Sequence, residues 1–354
     1  MKRKIQLAVC ILVSAVALWI TFWLGGISFA DVAASITKVQ YLWTIPFVGL
    51  TLLSMYFRVM RWQCLLRPSV KLSANQLLAP IFIGFALNCL LPARVGEFAR
   101  AYVLKKNRNV AFSLGFGTIV LERVFDMMTL IFFMTLMLWT MPEIKESLSI
   151  TWDGKTRNFE GAFRGVAAVM ALGLCGSLAL LSRKVRMIVE SLLRKLPMPR
   201  GMHDKVVAMF HSFSSGMDSL RNPKLIAIIL FHSLMVWVLV AVSLQVMYLG
   251  LKPLMADFTP ISFMQGMSIN IIICVAIMIP AAPGYWGLYE AGVQAAFSIL
   301  GLTPDGSPVP MTYSLIIHAF QMVPIIIIGV VFMSRQRLSF KEVLEGKEKL
   351  KENA

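Results

Sequence analysis

Nine apolar runs, at about 5–26, 42–57, 77–91, 110–141, 163–181, 225–249, 261–279, 285–300 and 312–333, alternate with short stretches that hold nearly all the charge. A helix needs about 20 apolar residues to cross about 30 Å of hydrocarbon. Apolar residues make up 58% of the 354-residue chain and charged residues only 15%; a soluble domain has about 45–50% and about 25%. The pattern fits an all-α polytopic membrane protein and excludes a pair of soluble domains. The formal net charge of +16 would also suit nucleic acid, but the basic residues flank apolar runs, so they report topology and no nucleic-acid partner is expected. Five cysteines, Cys10, Cys64, Cys89, Cys175 and Cys274, lie in or beside these runs without CxxC spacing. They read as packing residues, not as a disulfide framework or a zinc site.

The basic residues sort by side. Segments 2–4, 58–108, 183–224 and the tail from Arg335 carry 27 of the 34 Lys and Arg, against six in 27–41, 142–164 and 250–260. This positive-inside bias places both termini in the cytoplasm of a multi-pass cell inner-membrane protein. The first run, longer than a signal-peptide core and preceded by Lys2, Arg3 and Lys4, reads as an anchor. The run 77–91 is basic on both sides and only about 22 Å long as a helix, with Pro80 and Pro92 expected to break it. No basic residue lies between Lys252 and Arg335, and Pro280 and Pro283 sit between the runs 261–279 and 285–300. Both places read as re-entrant or broken hairpins, one entering from each side, beside about six full spans. Eight ordinary short spans are the alternative.

The two breaks share a pattern. Asn88-Cys-Leu-Leu-Pro92-Ala-Arg94-Val-Gly96-Glu97 and Pro280-Ala-Ala-Pro283-Gly284-Tyr-Trp-Gly287-Leu-Tyr-Glu290 each pass from an apolar run through Pro and Gly to a Glu that opens a new helix. Paired Gly/Pro interruptions in opposite orientations point to an inverted repeat with a site at the membrane midplane. Tight inter-helix turns, with Glu97 and Glu290 as first-turn dipole partners, are the plainer reading.

Charges inside the membrane are the site candidates. Glu122, Arg123 and Asp126 fall in the cytoplasmic half of the run 110–141, where an unpaired charge is costly. Glu122 and Asp126 share a face, and Arg123 can pair with Asp126. The trio is either a packing pair or part of a headgroup or proton site. Arg94 and Arg100 beside the first break are natural phosphate ligands. The substrate-binding set is therefore Asn88, Arg94, Glu97, Arg100, Glu122, Arg123, Asp126 and Glu290; the hairpin set is Pro92, Gly96, Pro280, Pro283, Gly284 and Gly287. His232, His318, Asn270, Gln294 and Gln321 read first as interhelical hydrogen-bonding groups. The segment 183–224 reads as two amphipathic helices on an anionic inner leaflet. The Walker, zincin and nucleophile-elbow motifs are missing from the chain, so no catalytic residue, metal or cofactor is assigned.

The stretch Asn88–Arg100, the element Leu121-Glu122-Arg123-Val124-Phe125-Asp126 and the stretch Pro283–Glu290 together resemble the transmembrane region of lysylphosphatidylglycerol synthases, the flippase-like part of multiple peptide resistance factors. The resemblance covers nearly the whole chain. It implies one flippase-like domain over 1–334 with a short charged cytoplasmic tail, 335–354. It implies no lysyl transfer, since only about 20 residues follow the last run. The expectation is a lipid translocator for a phospholipid or polyprenyl-phosphate-linked lipid, with anionic or lipid-phosphate membrane lipids as partners and a homo-oligomer as a further possibility. Transport is favoured over chemical turnover. A membrane glycosyltransferase using a lipid-phosphate donor, as some archaeal relatives are described, and a non-catalytic scaffold are the alternatives.

Overall fold

The computed structural model describes residues 26–91, 94–141, 149–152, 155–158, 182–195, 222–278 and 283–339, with isolated positions elsewhere. Most of the expected first span and of the run 163–181, Pro92, Pro280, Cys10, Cys175 and nearly all of the second amphipathic stretch lie outside the described residues. Among the described residues ten α-helices run in order: α1 Phe29–Ile36, α2 Thr44–Leu66, α3 Ala74–Leu90, α4 Val95–Arg108, α5 Phe112–Thr140, α6 Arg183–Lys195, α7 Pro223–Tyr248, α8 Phe263–Ala276, α9 Leu288–Ile299 and α10 Val309–Arg335. The chain is an all-α membrane protein. One small antiparallel pair, Ser149–Trp152 with Lys155–Asn158, interrupts a segment for which no regular structure was expected.

Among the described residues three stretches combine the length and hydropathy of a membrane span: Tyr41–Leu66, Pro223–Leu254 and Val309–Arg335. The helix α5, with 29 residues, has the length of a span and carries three charges. The shorter α3 and α8 are apolar too. Caps mark several starts. Ser28 Oγ accepts the Asp31 N–H at 3.1 Å, and Ser262 Oγ accepts the Gln265 N–H at 3.2 Å while Gln265 Oε1 takes the Ser262 N–H. These bonds satisfy amides that the first helical turn leaves free.

A four-part order occurs twice. The span-length α2 leads to the short pair α3–α4 and then α5; α7 leads to the short pair α8–α9 and then α10. Within each short pair the two helices pack on one another, α2 packs on α7, and α10 packs on α3. A core cluster built around Val59, Trp62, Ile81, Leu104 and Phe125 draws mainly on the first half, with Leu225, Ile229 and Ile325 joining it from the second. Another around Met247, Ile269, Val293, Phe297 and Tyr313 draws mainly on the second, with Phe47 joining it from the first. The α3–α4 approach is tight: a Cβ on Gly96 would stand 1.8 Å from the Gly84 carbonyl oxygen. Only glycine lets the two backbones come this close.

Two expectations need correction. Pro80 does not break the run 77–91, because α3 continues through it from Ala74 to Leu90. Proline removes one backbone hydrogen bond, and burial of the adjacent Ile81 and Phe82 in the core outweighs that loss. The first connecting segment does not begin at residue 58. The apolar run 42–57 is too short to span alone, and α2 extends through Arg58 and Arg61 to Leu66.

Candidate functional site

An arginine-rich cluster sits where α2, α4, α5 and α7 meet. Arg61 is fully buried; its Nη1 donates to Asp126 Oδ1 at 2.6 Å and to Ser233 Oγ at 3.1 Å, and its Nε stands 3.8 Å from Glu122 Oε1. Arg100 grips Glu122 with both terminal nitrogens. Its guanidinium lies 3.7 Å from the centre of the Trp62 ring, whose indole N–H donates to Thr118 Oγ1 at 2.9 Å. Arg123 reaches Asp126 Oδ2 at 3.3 Å and Glu97 Oε1 at 3.8 Å, and its side chain is 35% exposed. Helical spacing explains the convergence. Glu122 and Asp126 are one turn apart on α5, while Arg58 and Arg61 share a face of α2 at three residues.

Positive charge exceeds negative here. Arg58 lies over Phe85 and Trp237, at 5.4 and 6.0 Å from the ring centres, and is within electrostatic reach of Asp126 and Glu122 without pairing to either. Arg94, exposed at the first break, makes no ion pair among the described residues. Five guanidinium groups, on Arg58, Arg61, Arg94, Arg100 and Arg123, thus stand against three carboxylates, on Glu97, Glu122 and Asp126. Buried donors also go unused: Arg61 Nε and Nη2 and Arg100 Nε meet no hydrogen-bond acceptor among the described residues. A buried donor without an acceptor is unfavourable by about 1–3 kcal/mol. The arrangement therefore favours an anionic ligand that brings several oxygens.

Both breaks border this cluster. At the first, Asn88 Oδ1 accepts the Gly96 N–H at 2.7 Å and ties the end of α3 to the start of α4. Arg94 caps α4 in the left-handed region, with φ 51°. At the second, a turn of 3-10 helix over Pro283–Tyr285 packs against α3, and Gly284 and Gly287 have φ of 75° and 89°. Cys274 on α8 lies within electrostatic reach of Arg58, Asp126 and Arg94, so the second hairpin faces the first.

The sequence-derived candidates thus divide. Glu97, Arg100, Glu122, Arg123 and Asp126 come together, and Arg94 stands at the adjoining break. Asn88 is engaged in closing its hairpin. Glu290 belongs to a separate constellation with His318 and Gly287. Arg58, Arg61 and Trp62 were missed, as was the partnership of His318. The signal for the first two was present: a 16-residue apolar run cannot span alone, so its helix must carry the next residues with it.

A family model described as the lysylphosphatidylglycerol synthase TM region matches residues 7–329. The glycosyltransferase AglD of Haloferax volcanii is 26% identical over 291 residues, which is 77% of this chain and 45% of that protein. A UPF0104 membrane protein of Methanothermobacter thermautotrophicus is 25% identical over 251 residues, 66% of each chain. A second UPF0104 membrane protein, of Methanocaldococcus jannaschii, is 49% identical over 45 residues, 13% of this chain and 19% of that one. The chain therefore spans less than half of the AglD protein, and no solved structure matches it significantly.

Proposed function

Since the chain belongs to the lysylphosphatidylglycerol synthase transmembrane-region family, we propose that its arginine cluster binds the phosphate of a membrane lipid and that the protein moves that lipid between leaflets of the cell inner membrane. The carrying observation is the surplus of guanidinium: Arg58 and Arg94 have no carboxylate partner among the described residues, beside buried arginines with unused donors. Guanidinium binds phosphate oxygens two at a time. The ligand is a phospholipid or a polyprenyl-phosphate-linked lipid. The paired hairpins supply the irregular backbone that alternating-access carriers place at a midplane site. Both termini lie in the cytoplasm, in keeping with the basic bias of the connecting segments.

A second reading uses the same site for chemistry. The AglD relative is named a glycosyltransferase, and a lipid-phosphate donor would bind the same arginines. Glu97, 24% exposed and only loosely paired to Arg123, is then the acid free to act as a base. The experiment is reconstitution of the purified protein with a fluorescent phospholipid and, separately, a polyprenyl-phosphate lipid. Translocation lost in Arg94→Ala supports the carrier. Sugar release or transfer lost in Glu97→Gln, without translocation, supports the enzyme. Neither activity with either lipid contradicts both.

A further inference from the structure

Glu290 and His318 form a buried constellation that the lipid-phosphate site does not use. Both are essentially inaccessible, at 0% and 2% exposure. Glu290 Oε2 accepts the Gly287 N–H at 2.6 Å. Its Oε1 lies 2.6 Å from His318 Nδ1, and His318 Nε2 lies 2.8 Å from the Gly284 carbonyl oxygen. Each ring nitrogen thus faces an oxygen, and hydrogen counting fixes what lies between them. A carbonyl only accepts, so Nε2 carries a hydrogen. A neutral imidazole with that hydrogen presents a lone pair at Nδ1. That lone pair cannot face an ionised carboxylate oxygen at hydrogen-bond distance. A second hydrogen therefore lies between Nδ1 and Oε1, whichever of the two atoms holds it. The arrangement contains one proton more than a carboxylate and a neutral histidine.

We infer that Glu290 and His318 together form a proton-binding site that latches the second break to α10. The latch joins the α9 start, through Glu290, and the break, through Gly284, to the middle of α10. Removing the shared proton sets acceptor against acceptor at one edge of the ring, and one of the two contacts opens. The break is the part that yields: its glycines at 284 and 287 already depart from helical backbone. The ring is otherwise held by packing, with the Tyr289 ring centre at 4.1 Å and that of Trp286 at 4.4 Å. Titratable groups around the pair are Tyr285 in the break, Tyr289 on α9, Cys274 on α8 and Tyr313 on α10. Among the described residues no Lys or Arg pairs with Glu290. Tyr285 is within electrostatic reach of Arg123, so the latch borders the arginine cluster. Resting on the lipid-phosphate reading, proton loading then governs whether the second break closes over that cluster.

The test reads protons and backbone opening, not lipid movement, so it stands or falls apart from the transport assay. The full chain is labelled with 15N-histidine, placed in phosphatidylglycerol-containing nanodiscs and followed by NMR across pH. Its four histidines are separated with a His318→Gln variant. The expected result is hydrogen on both edges of the His318 ring while the break is closed. Amide exchange in the peptide covering Pro283–Glu290, corrected for intrinsic rates, should accelerate as pH rises and that hydrogen is lost. Glu290→Gln is the neutral mimic, because its carbonyl can accept from Gly287 while its amide donates to Nδ1. It should keep the break protected and remove the pH response. A His318 ring with a single hydrogen facing an ionised Glu290, or the same pH response in wild type and Glu290→Gln, overturns the proposal.

Discussion

Arg94 occupies a left-handed backbone conformation, φ 51°, which costs an L-residue about 1–2 kcal/mol relative to glycine. An exposed N-cap position gives it no packing in return. Arg94→Gly is therefore expected to raise the unfolding temperature slightly, by the equivalent of up to about 1 kcal/mol once glycine's own entropy cost is allowed for, and yet to lose the bound lipid phosphate. Thermal unfolding in detergent and lipid retention check the two halves separately. The buried Arg100–Glu122 pair should behave in the opposite way. Glu122→Leu alone leaves an uncompensated guanidinium and should cost about 3–5 kcal/mol, while Arg100→Met with Glu122→Leu should recover most of that loss. Chemical unfolding of the two variants decides it, and equal losses would show that no charge penalty operates. At this scale the sequence was partly readable. Glu122, Arg123 and Asp126 stood out because an apolar run surrounds them. Arg58 and Arg61 did not, because they follow an apolar run and look like a cytoplasmic flank. His318 could be placed in a span, but its partner lies 28 residues away, and no spacing rule connects them.

Helix pairs carry the next level. In the α3–α4 hairpin the backbone of one helix fills the space where a Gly96 side chain would stand. Gly96→Ala should push the pair apart and cost about 1–3 kcal/mol. Gly49→Ala on α2, with nothing within 4 Å, should be neutral or slightly stabilising. Unfolding midpoints of the two variants should differ accordingly. A second element-scale contact ties the end of α4 to the tail: Lys106 donates to Glu342. The Lys106 ammonium holds the Glu342 carboxyl below its usual range. A lowered folded-state value means the contact contributes at neutral pH, above the free carboxyl's value of about 4.3. It is lost as pH falls through the bound value. The pair is exposed, so the effect on stability is small. Protease cleavage of the tail should quicken below about pH 4, and Lys106→Ala should quicken it at neutral pH. Of these elements the sequence revealed the hairpins, from paired Pro/Gly punctuation, but misjudged Pro80, whose local cost was overridden by packing. The closeness of Gly84 and Gly96, both visible as residues, depends on how α3 and α4 cross, which no single helix pattern encodes.

For the whole molecule, the repeated order of span, short hairpin and span explains why two breaks far apart in sequence face one another. The apolar clusters knit the halves together: Leu225, Ile229 and Ile325 join the cluster around Trp62, and Phe47 joins the one around Tyr313. Composition was enough to reveal a membrane protein. Convergence of α2, α4, α5 and α7 on one cluster was not legible, because it arises from tertiary packing among helices far apart in sequence. The central claim, that the surplus arginines hold a lipid phosphate, is tested most directly by mass spectrometry of the lipids retained through gentle purification, in wild type, Arg94→Gly and Arg58→Gln. One phosphate-bearing lipid class enriched over the bulk membrane in the wild type, and lost in both variants while each stays folded, is the predicted result. Bulk-like lipid, unchanged by either substitution, would contradict it.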